Sequence, residues 1–187
     1  MGQLARWSAE ALGDAFRDLL AHRGLVPKIT YEASVFTDAL REEVGYSPAA
    51  DVLVEYSWDG EELHAWIELE VSRGDPVANP AKFLVALTER SARPGEIFVF
   101  ALSQAIQRGR AALCHRFVKL MRERGFPVYS DDLLPSATEH LVERLNANDR
   151  QEFDNFLARE PESVKRALRQ DLNSLAKRIY EYGRASR

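Results

Sequence analysis

The stretch Asp51-Val52-Leu53-Val54-Glu55-Tyr56-Ser57-Trp58-Asp59-Gly60-Glu61-Glu62-Leu63-His64-Ala65-Trp66-Ile67-Glu68-Leu69-Glu70-Val71 decides the fold. Val52 to Trp58 and Leu63 to Val71 are rich in residues that favour strands. Between them Asp59-Gly60 forms a two-residue hairpin turn, because both residue types tolerate positive φ. With that turn, Trp58 faces Glu61 and Asp51 stands opposite Glu68. Side chains alternate along a strand, so Val52, Val54 and Tyr56 share a core face with Leu63, Ala65, Ile67, Leu69 and Val71. The other face carries Asp51, Leu53 and Glu55 beside His64, Trp66, Glu68 and Glu70. Directly opposed residues have Cβ atoms roughly 4.5–5.5 Å apart, where like charges repel. Asp51, Glu68 and Glu70 thus converge at one end of the hairpin, and their repulsion needs an offset. A hard cation such as Mg²⁺ supplies one, taking carboxylate oxygens plus water. A solvated acidic face without a ligand is the plainer alternative.

Outward from the hairpin, helical and strand-like segments alternate. Trp7-Ser8 opens a helix with Leu12, Phe16, Leu19 and Leu20 at helical spacing, ending at Gly24. A second helix is expected from Thr30 to Val44, with Phe36 and Leu40 inward and Gly45 closing it. After the hairpin, Asn79-Pro80 reads as an N-cap and first-turn proline for a helix through about Arg90. Ile97 to Leu102 is a continuous apolar run, as in a buried central strand. A basic helix follows from about Gln104 to Arg124, then a short strand at Pro127 to Ser130. Three further helices are expected near 137–147, 149–159 and 161–182. The reading is an α/β core over residues 1–134, its mixed sheet flanked by helices. Residues 135–187 form a C-terminal helical appendage that packs on the core or makes a dimer or DNA contact.

Composition narrows the function. No apolar run among the 187 residues approaches the roughly 18 that span a bilayer, so no membrane partner is expected. No signal-peptide pattern opens the chain, which points to a cytoplasmic, soluble protein. A single cysteine, Cys114, excludes an internal disulfide framework and a cysteine zinc cage. The net charge is −4, but it is unevenly placed. Residues 1–94 hold 9 basic and 16 acidic side chains, a net of −7, whereas residues 95–187 hold 16 and 13, a net of +3. No G-x-S-x-G elbow is present to suggest a serine hydrolase.

The acidic constellation resembles the PD-(D/E)xK nuclease superfamily, the restriction-endonuclease-like fold. Pro48-Ala49-Ala50-Asp51 looks like the first part of its motif, and Glu68-Leu69-Glu70 like the second in an E-x-E form. The helix, hairpin, helix, strand order over roughly residues 30–130 also matches. The resemblance implies a Mg²⁺-dependent endonuclease, with Mn²⁺ as a substitute, acting on DNA in restriction, defence or repair; RNA stays open. It implies Asp51, Glu68 and the Leu69 carbonyl as metal ligands, and Glu70, in the position of the family lysine, as the group that orients or deprotonates water. Lys82 is the candidate replacement cation. The acid that the preceding helix contributes in this family would be Glu32 or Glu43, with Glu32 favoured. Two alanines between Pro48 and Asp51, and the missing lysine at position 70, depart from the family pattern.

Nucleic-acid contacts are expected from Arg73, after the motif strand, and from the basic helix through Arg108, Arg110, Arg116 and Lys119. Each is also explicable as a solvated charge. A homodimer would supply the two active sites needed to cut both strands of a duplex. Two other readings stay open: an inactive nuclease-fold subunit that binds nucleic acid or assembles with a protein, and an unrelated α/β protein acting through protein contacts.

Overall fold

A computed structural model gives the architecture, describing residues 2–45, 47–71, 76–89, 92–145 and 150–185. Five strands form one mixed sheet in the order β1-β2-β3-β4-β5. They are β1 (Lys28–Ser34), β2 (Ala49–Trp58), β3 (Glu61–Glu70), β4 (Glu96–Ser103) and β5 (Val128–Leu133). The first three pair antiparallel, whereas β3, β4 and β5 run parallel. Helices α1 (Gln3–Ala21) and α2 (Asp38–Val44) precede the hairpin, and α3 (Ala78–Glu89) and α4 (Arg108–Glu123) make the two parallel crossovers. Helices α5 (Glu139–Leu145), α6 (Arg150–Arg159) and α7 (Glu162–Ala185) follow β5. No helix among the described residues is long and apolar enough to cross a membrane.

The hairpin has the expected register, from Trp58↔Glu61 to Val52↔Ile67. Asp59 and Gly60 both take positive φ, 54° and 80°, as the tight turn requires. The expected core face is real: Val52, Val54, Tyr56, Leu63, Ala65, Ile67, Leu69 and Val71 are buried with α1 and α7. Leu168, Leu172, Leu175 and Ile179 bring α7 into that same cluster. The opposite face is covered by α3 and α4 through Phe83, Leu87, Cys114, Val118 and Met121, packed on Phe98, Phe100 and Leu102. With both faces covered, β4 is buried along its full length and lies between β3 and β5.

One expectation is corrected. Residues 30–34 are not helical but belong to the edge strand β1, and the second helix is the short α2. Thr37, not Thr30, is its N-cap, with Oγ1 accepting the Leu40 N–H at 3.3 Å, and Gly45 closes the helix at φ 67°. Helix α7 is tied to β5 by Arg178, which grips Asp131 with two hydrogen bonds of 2.6 and 3.1 Å. The Tyr129 hydroxyl also donates to Asp131, and burial with that bond pushes its pKa up to about 12.

Gly95, just before β4, takes φ 75°, and a Cβ there would collide with the Glu62 carbonyl oxygen. Gly95→Ala therefore combines a left-handed backbone penalty with a backbone clash. It should lower unfolding stability by at least about 2 kcal/mol, measurable as a lower urea midpoint with an unchanged slope.

Candidate active site

The site forms where the hairpin comes apart. The β2–β3 ladder stops at Val52↔Ile67. Beyond it, Ala49 and Ala50 pair only with β1, and Glu68, Leu69 and Glu70 only with β4. The freed backbone groups need partners. Asp51 supplies one: its Oδ2 accepts the Leu69 N–H at 2.7 Å. In a strand a residue's N–H and C=O face the same neighbour, so the Leu69 carbonyl projects toward the same gap.

Helix α3 covers this gap and is anchored by Phe83, whose ring lies 4.9 Å from Phe98 and 5.3 Å from Phe100. As a crossover between parallel strands, α3 runs antiparallel to β3 and brings its first turns over the strand's last residues. Lys82 Nζ lies 2.6 Å from Glu68 Oε1 and donates to the Ala49 carbonyl at 2.6 Å, bridging the parted strands. The Asn79 side-chain amide donates to Glu70 Oε1. Glu68 is 3% exposed, Glu70 6% and the Lys82 side chain 12%.

Asp51, Glu68, Glu70 and Lys82 are thus brought together as expected. Among the described residues three carboxylates face one ammonium, and Glu68 is the group whose pKa moves most. Burial first, then the charges of Asp51 and Glu70, push its pKa up to about 8, outweighing the opposing pull of Lys82. The acids do not form a ready cage: among the described residues, no three His, Cys, Asp or Glu side chains are grouped to hold a metal ion. Asp51 turns to a backbone N–H and Glu70 to an amide instead.

Glu32 lies not on a helix but on β1, between Tyr31 and Ala33, which pair with Val52 and Ala50. Its backbone therefore flanks Asp51. It is exposed and takes φ 52°, a strained value for glutamate. Glu43, the other acid considered, lies on α2. Arg73 lies outside the described residues. Arg108, Arg110, Arg116 and Lys119 are all exposed on α4. Because α4 follows β4, Arg108 and Arg110 start it at the same end and face of the sheet as Glu68 and Glu70. Arg116 and Lys119 lie about 12 and 17 Å further along the helix from Arg108.

No family model, curated protein or solved structure matches this chain. A functional reading therefore stands on the chemistry of the cluster.

Asn79 is a site residue that the sequence reading misses. A polar residue before a proline carries the local signature of a helix cap, and this one is spent inside α3 on a strand acid, at 2% exposure. His64 makes the cross-strand pair expected with Glu55, at 3.5 Å, away from the cluster.

The raised Glu68 pKa has a defined sign. Unfolded, the carboxyl ionises near 4.5; folded, it holds its proton to about 8. Between those values the folded state binds more protons, so stability falls as pH rises through the interval and stays low above it. Glu68→Gln mimics the protonated form. In EDTA it should be more stable than the parent at pH 8.5 by a few kcal/mol, since each tenfold rise in proton affinity on folding is worth about 1.4 kcal/mol. The gain should vanish below pH 4.5 in thermal melts.

Proposed function

We propose that the chain is a Mg²⁺-dependent nuclease with a restriction-endonuclease-like core, hydrolysing phosphodiester bonds, in DNA first. The observation that carries this is the cluster of buried Glu68 and Glu70 with half-buried Asp51 and Lys82 across the parted hairpin. The strand order and the single-face crossovers agree with that core, with the acids at the start of β2 and the end of β3.

The donor set suits Mg²⁺, which is commonly held by one or two carboxylates with waters completing the shell. Asp51, Glu68 and the Leu69 carbonyl would hold it, and its charge would replace the proton that Glu68 otherwise keeps. When bound there, the ion would supply Lewis-acid chemistry, polarising a phosphate and lowering the pKa of a water. Glu70 accepts a proton from the attacking water as general base. Lys82 places a positive charge beside the acids, where negative charge grows on the phosphoryl oxygens. Arg108 and Arg110 hold the phosphate backbone at the sheet end, and Arg116 and Lys119 extend that track along α4. A two-fold dimer would bring a second site to the other strand of a duplex. A role in restriction, defence or repair is what the resemblance to the PD-(D/E)xK superfamily implies.

One observation favours a second reading. Lys82 already pairs with Glu68, and the acids form no three-carboxylate cage among the described residues. On that reading the fold binds nucleic acid or a protein partner without cutting.

Supercoiled plasmid, single-stranded oligonucleotide and RNA, each with Mg²⁺, Mn²⁺ or EDTA, separate the two. Cleavage should need the divalent ion and fall at least about 100-fold in Asp51→Ala, Glu68→Ala and Glu70→Gln. Salt-sensitive binding without cleavage would replace the nuclease by the binding subunit. In either case Arg108→Ala and Arg110→Ala should each reduce the slope of log affinity against log salt by about one; unchanged slopes would remove α4 from the interface.

A further inference from the structure

Helix α3 treats the two glutamates of β3 differently. Asn79 and Lys82 stand three residues apart on one face of the helix. Glu68 and Glu70 stand two apart on one face of the strand. Since helix and strand run antiparallel, Asn79 meets Glu70 and Lys82 meets Glu68. Three helical residues rise about 4.5 Å and two strand residues about 6.6 Å. The long lysine stem covers the difference, and the short asparagine sits directly against its partner.

The consequence is chemical. From Lys82, Glu68 receives a cation that opposes its charge; from Asn79, Glu70 receives a neutral donor that fixes the direction of one oxygen. The N–H aimed at Glu70 Oε1 fixes which way that carboxylate faces. Asn79 is itself 2% exposed, so it cannot turn away to water.

We propose that Asn79 is a positioning residue for Glu70, its side-chain amide holding that carboxylate in the orientation in which it takes a proton from the attacking water. This rests on the nuclease reading, and it adds a group to the machinery that carries no charge and touches no substrate.

The test uses the full chain with Asn79→Leu, Asn79→Asp, Glu70→Gln and the Asn79→Leu/Glu70→Gln double variant. Asn79→Leu keeps the side-chain size and removes the donor. Its kcat should fall about 10- to 100-fold, while KM and Mn²⁺ affinity, the latter measured by titration without substrate, stay within about twofold. In the Glu70→Gln background the same substitution should change kcat less than about twofold, because the group it acts through is already altered. Asn79→Asp keeps the shape and turns a donor into an acceptor facing a carboxylate, so it should lose at least as much as Asn79→Leu. It also serves if Asn79→Leu does not fold.

Full activity in either single variant overturns the proposal. So does an equal loss from Asn79→Leu with and without Glu70, which would assign the effect to packing. Loss of Mn²⁺ affinity in step with kcat overturns it too, since Asn79 would then act on the metal ligands. If the parent chain itself does not cut with Mg²⁺ or Mn²⁺, the nuclease reading has failed first and this inference falls with it; that result is visible before any variant is compared.

Discussion

The end of the β2–β3 ladder at Val52↔Ile67 is the constraint from which the site follows. Strands that part inside a covered sheet leave backbone donors and acceptors without their ladder partners, and each must find another or cost stability. Here the partners are side chains. Asp51 takes the Leu69 N–H, and Lys82 takes the Ala49 carbonyl. The groups that close the gap are therefore the same groups that assemble the acid cluster. Removing Asp51 would affect both, which is why stability and activity must be measured together at this position.

Placement depends equally on the aromatic anchor of α3. Phe83, seated between Phe98 and Phe100, holds the helix over the sheet. That seat sets Asn79 and Lys82 above Glu70 and Glu68 rather than a residue away. The opposite face is filled by α1 and α7, so the sheet is a stiff platform with its polar opening at one end. Long-range packing therefore orients the cluster before any ligand arrives.

How much of this was legible in the sequence differed by element. The hairpin was fully legible, because Asp59-Gly60 and the strict alternation around it specify one register, and a shift by one residue would expose the whole core face. The acid cluster followed from that register. Strand β1 was not legible: Lys28 to Ser34 is an edge strand with most side chains exposed or half-buried, so it lacks the apolar alternation that marks a strand. Phe36 and Leu40, spaced as on a helix, drew the helical pattern back across it. Asn79 was hidden for another reason. Its local context fits a cap, and its actual partner lies nine residues away on a strand, which no local rule reads.

The whole-chain charge of −4 is also better understood through position than through count. Among the described residues three acids and one lysine are concentrated in a largely covered gap, where low polarisability magnifies each charge. Glu68 responds by keeping its proton to about 8, so the folded chain has a proton-holding acid where a cation would be preferred. The arginines of α4, by contrast, are exposed and lie where solvent screens them. One set of charges is thus shifted by burial at one point of the sheet, and the other is left solvated along a helix surface. A phosphodiester backbone is a ligand that needs both, a track of cations to hold it and an acidic pocket to bring a metal and water to one bond. That division, rather than net charge, is what supports the proposal of a nucleic-acid partner.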